Sequence, residues 1–90
     1  MTEERLFPIE VTSQIPRITM LGHEMVHVEQ HRGLAVYQPN LIHFRAHDGQ
    51  ICITGKELRF QNYSSTEATI TGEIDSVSME YAANKGGEKG

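Results

Sequence analysis

The chain has 90 residues, 38% of them hydrophobic and none tryptophan, with a net charge of −4 and one cysteine. That length reads as one domain with a thin core. No apolar run nears the roughly 20 residues of a membrane-spanning helix, and the scattered bases form no face for nucleic acid.

The opening "MTEERLFPIE" is acidic where a secretory leader would be basic and then apolar, so residues 1–8 read as an N-terminal segment and not a signal peptide. Short runs follow in which β-branched or aromatic residues alternate with polar ones: "ITM", "VHV", "LAVY", "LIHF", "ICI", "LRF", "ATI" and "VSM". This period of two, broken by glycine, "QPN" and "HDGQ", predicts many short strands joined by tight turns. Residues 9–81 therefore read as a single all-β domain. Cys52 sits between isoleucines as a small interior residue; a lone cysteine forms no internal disulfide and suits a reducing cytosol. The closing "AANKGGEKG", residues 82–90, lacks apolar periodicity and reads as a disordered tail.

A faint repeat runs through the middle. "HRGLAVYQPNLIHFRA" (31–46) aligns without a gap on "HDGQICITGKELRFQN" (47–62), and Ile53-Thr54-Gly55 returns as Ile70-Thr71-Gly72. This suggests four units of 16–18 residues, each two short strands and a bend. Stacked, the units would form a small β-solenoid. Joined by hairpins, they would form an antiparallel meander closing into a sandwich or barrel, which Asp48-Gly49 favours as a hairpin signal. The recurrence of whole units tilts the reading toward the stack.

His23-Glu24-Met25-Val26-His27 spells H-E-x-x-H, the string of zinc hydrolases. The chemistry needs a helix, which sets positions i and i+4 about 5–6 Å apart so that both imidazoles reach one ion and the glutamate reaches its water. In a strand the same histidines would stand about 13 Å apart and the glutamate would point the other way. Gly22 just before the motif, the "VHV" alternation and Gly33 all oppose a helix, so no catalytic or metal residue is assigned and no cofactor is expected. If units stacked, His27 would lie near His43 and His31 near His47, a ladder able to hold a surface metal.

"IPRITMLG", "VHVEQHRGLAVYQPNLIHF", "GQICITGKELRF" and "ATITGEIDSVSMEY" resemble, in order and spacing, the YabP/YqfC family of sporulation proteins, closest to its YqfC branch. The carrying positions are Pro16-Arg17-Ile18-Thr19 with Gly22, Val28 to Gly33, Ile53-Thr54-Gly55 with Leu58 and Phe60, and Gly72-Glu73-Ile74 with Val77. The resemblance implies a non-enzymatic sporulation protein in the mother-cell cytoplasm of an endospore-forming bacterium. It also implies a larger membrane-associated neighbour of the YqfD type as a partner. Pro16, Arg17, Glu29, His31 and Arg32 are the family-like positions offered as partner or assembly contacts. Exposed strand edges at the ends of β units invite self-association, so a homo-oligomer is expected. The alternatives from other classes are a zinc metallohydrolase using His23, Glu24 and His27, and a small ligand-binding β module.

Overall fold

The computed structural model describes residues 15–81. These form six strands and no helix: β1 (Arg17–Leu21), β2 (Met25–Glu29), β3 (Leu34–Gln38), β4 (Leu41–Ala46), β5 (Gly49–Tyr63) and β6 (Glu67–Tyr81). All neighbours are antiparallel in one sheet of order β1-β2-β6-β5-β4-β3. The all-β expectation therefore holds. The segments 1–8 and 82–90, together with residues 9–14, lie outside the described residues.

The stacked-unit reading does not hold. A solenoid needs parallel neighbours, whereas here each repeat of Ile-Thr-Gly lies on a different arm of one long hairpin, β5 and β6. Thr54 pairs with β4 at Leu41, and Thr71 pairs with β2 at Met25. The repeat is real but marks a duplicated bend: the register slips between Thr54 and Gly55 and between Lys56 and Arg59. Gly72 opposite this slip has φ +135°, and a Cβ there would meet the Glu57 carbonyl oxygen at 2.6 Å. Glu57 itself adopts φ +53°. Only glycine fits the first of these positions without moving backbone.

The bend divides the molecule into two halves of similar plan. The β1–β2 hairpin lies on the first part of β6, as β3–β4 lies on the first part of β5. Each hairpin's turn accepts a hydrogen bond at the bend, the Ile74 N–H donating to the His23 carbonyl at 2.8 Å and the Leu58 N–H to that of Pro39 at 2.7 Å.

Connectivity forces the sheet to curl. β2 stands second and β3 last in the order, yet only Gln30–Gly33 joins them. Five Cα steps reach at most about 18 Å. Four strand spacings in a flat sheet take about 19 Å. Curling also supplies the cover that a sheet without helices lacks. Val26, Val28, Ala68 and Ile70 from one half and Ile42, Phe44, Ile51 and Ile53 from the other join one fully buried cluster, with Leu58 and Ile74. The register makes these side chains same-face neighbours, Val26 opposite Ile70 and Phe44 opposite Ile51.

The expected hairpin at Asp48-Gly49 is present, with His47 and Asp48 as its two-residue tip and Ala46 opposite Gly49. Neither tip residue has a positive φ, so the turn is not type I′. Glycine serves another end: a Cβ on Gly49 would strike the Glu80 carbonyl oxygen of β6 at 1.8 Å.

Candidate functional site

His23 and Glu24 sit with Gly22 in the β1–β2 turn, where Gly22 has φ +58° and the Glu24 N–H donates to the Leu21 carbonyl. His27 lies in β2 between buried Val26 and Val28. A turn followed by a strand cannot give the one-turn spacing that H-E-x-x-H chemistry requires. This geometry overturns the zinc-hydrolase alternative for His23, Glu24 and His27. Among the described residues no three histidine, cysteine or carboxylate groups are placed to hold an ion.

His27 has a different setting. One ring nitrogen, Nδ1, is 2.8 Å from the Thr69 hydroxyl of β6. The other, Nε2, stands 3.7 Å from a carboxylate oxygen of Glu29 and 3.7 Å from one of Glu67. Glu29 and Glu67 face each other across the β2–β6 register, so the imidazole lies between two carboxylates that would otherwise repel. The histidine ladder does not form: His27 is on β2 against β6, while His43 is on β4 opposite Cys52 and Val36.

His31 is inside the protein, 1% exposed. Its Nε2–H donates to the Ser64 carbonyl at 3.1 Å, and its Nδ1 accepts the Gly33 N–H at 3.0 Å. That pairing defines a neutral ring with the proton on Nε2. The ring packs between Phe44 and Tyr63, with centroids 4.6 and 5.5 Å away. Tyr63 continues to Phe60 at 5.2 Å and Phe60 to Tyr37 at 4.9 Å. A chain of rings thus runs from the core to two half-exposed tyrosines and fastens β3 to the second part of β5. In this fold His31 is a clasp between the halves, not a surface contact. Arg32, beside it, is exposed, and its N–H donates to the Arg45 carbonyl at 2.7 Å.

The other candidates fall elsewhere. Exposed Arg17 opens β1 opposite Glu29 of β2, a cross-strand pair of opposite charge. Pro16 lines a cleft of about 510 Å³ at the opposite end of the sheet from the bend. Ile15, Ala46, Met79 and Tyr81 supply its apolar walls, and Asp48 and Glu80 bring carboxylates to it. Of the five candidates, then, Pro16 alone belongs to this cleft, Arg17 and Glu29 are brought together, and His31 and Arg32 serve the β2–β3 connection.

Cys52 is buried on β5. Burial first, and then the Glu80 carboxylate, push its thiol pKa above the ordinary range, while a hydrogen bond with Ser78 pulls the other way. A thiol held protonated is a poor nucleophile.

The model of the YabP family matches residues 13–88. "Uncharacterized protein YqfC" of Bacillus subtilis (strain 168) is 32% identical over 77 residues, which span 86% of this chain and 83% of that protein. No solved structure matches the chain.

Proposed function

Given that this chain belongs to the YabP family, we propose that it is a sporulation protein that works by binding, to itself or to another protein, and not by catalysis. The observation that carries the reading is the state of the sheet's margins. β6 pairs with β2 only as far as Thr71, so from Asp75 to Tyr81 its side away from β5 has no strand among the described residues. Among the described residues β1 and β3 are likewise bordered on one side only. Unpaired strand edges recruit further strands unless charge or cover prevents it. Large apolar side chains stand exposed beside these margins: Met20 and Leu21 on β1, Tyr37 on β3 and Tyr81 on β6.

The compartment we propose is the mother-cell cytoplasm, with the YqfD-type membrane-associated protein as the first partner to try. Light scattering of the purified chain over a concentration series, beside capture of that partner from detergent extracts, tests the reading. A defined oligomer, or capture that is lost when an edge strand is charged, supports it. A strict monomer that captures nothing sinks it.

A further inference from the structure

The margins differ in charge, and the difference selects an occupant for one of them. β6 carries Glu67, Glu73, Asp75 and Glu80 and not a single lysine, arginine or histidine along its fifteen residues. β3, "LAVYQ", has no charge at all, and β1 has only Arg17. Glu73, Asp75 and Glu80 are exposed, whereas Ile74, Val77 and Met79 turn inward. At the end of this open stretch lies the apolar cleft of Pro16, Ala46 and Met79. Glu80 is held in place there, one carboxylate oxygen accepting a hydrogen bond from Gln50 Nε2 at 2.8 Å.

Resting on the binding reading above, we infer that the open edge of β6 from Asp75 to Tyr81 receives an extended segment of another protein in which lysines or arginines alternate with apolar residues. Backbone pairing supplies the docking, the apolar side chains run toward the cleft, and the cations meet Glu73, Asp75 and Glu80. A second copy of the same strand is disfavoured at this place. Pairing β6 with β6 would bring carboxylates against carboxylates in a chain whose net charge is already −4. Carboxylates along an edge are how a sheet refuses its own kind; a basic strand turns the same feature into attraction.

The test uses the full chain labelled with ¹⁵N and two probe peptides of about ten residues, one alternating valine with lysine and its twin alternating valine with glutamate, followed by amide shifts at low salt. The lysine peptide is expected to move the amides of Asp75–Tyr81 and His47–Gln50 and to bind at least about tenfold more tightly than its twin, with the gap narrowing as salt is raised. The double reversal Glu73→Lys with Asp75→Lys is expected to invert the preference, and its spectrum reports directly whether the fold is kept. Equal binding of both peptides, shifts confined to other strands, or no shift with either overturns the assignment. So does an edge already occupied by the chain's own leading residues, seen as cross-strand contacts to β6, or shifts there that follow protein concentration alone. If the chain captures a partner or oligomerises while the β6 amides stay still, the binding reading stands and this assignment falls.

Discussion

Replacing His31 separates a structural clasp from a surface contact. His31→Phe keeps a ring between Phe44 and Tyr63 but deserts two partners, the Gly33 N–H and the Ser64 carbonyl. Each group left without its bond in a buried site costs about 1–3 kcal/mol. Partial access to water at the edge of the core trims the total to about 2–4 kcal/mol. His31→Ala forfeits the ring contacts as well, and removing a buried aromatic-sized group adds about 2 kcal/mol or more for the cavity. A domain of this size has only about 3–10 kcal/mol of stability to lose. Urea unfolding followed by far-UV circular dichroism reads both variants; with a slope near 1 kcal/mol per molar, His31→Phe should lower the midpoint by about 2–4 M. His31→Ala should be largely unfolded without denaturant. A His31→Ala protein within about 0.5 kcal/mol of wild type would refute the argument, and one that also lost partner capture would restore His31 as a contact.

Gly72→Ala should cost about 2 kcal/mol or more, because its Cβ meets the Glu57 carbonyl and its φ is +135°; Gly22→Ala, at φ +58° with nothing within 4 Å, should cost only about 1 kcal/mol by the same unfolding assay. Cys52 should react with a disulfide reagent at pH 8 only as fast as the sheet opens, and denaturant should accelerate it strongly. Since its pKa is raised on folding above the ordinary thiol value, its contribution is fully present below the unfolded value and fades as pH rises through the folded one. The urea midpoint of wild type should therefore fall more steeply above about pH 9 than that of Cys52→Ser. Glu24→Gln and His23→Ala, in an exposed turn, should leave stability within about 0.5 kcal/mol and leave any zinc-induced melting shift unchanged.

The alternating runs disclosed the strands well. Val26 and Val28 point in with His27 between them, and Ile42 and Phe44 do the same around His43. In "ICI" and "ATI" every residue is buried, the middle residues Cys52 and Thr69 being small and standing opposite the larger His43 and His27 on neighbouring strands. What the letters could not give was pairing. The duplicated Ile-Thr-Gly looks the same whether it stacks on itself or marks two arms of one hairpin, since both arrangements bury the isoleucine and need the glycine. The role of His31 was hidden for a similar reason: it lies in the polar string "EQHRG", and its ring partners Phe44 and Tyr63 belong to strands met much later. The cleft is assembled from the two residues before β1, the β4–β5 turn and the end of β6, which nothing local connects. A positive φ at Glu57, a residue type not suited to it, was equally out of reach.

The position of β2 in the sheet sets the order in which the molecule can be completed. β3, β4 and β5 pair with strands adjacent in sequence, but β2 has β6, the last of the described strands, as its inner neighbour. At about 5–20 residues per second, a chain leaving the ribosome holds its first hairpin unsupported for a few seconds before that neighbour exists. During that interval Val26 and Val28 have no lid, and a lone hairpin is barely stable in water. Folding is thus gated by the synthesis of β6, and slow closure of this distant pairing, more than any local step, sets the time for which Val26 and Val28 stand open to capture by a chaperone or by another newborn chain.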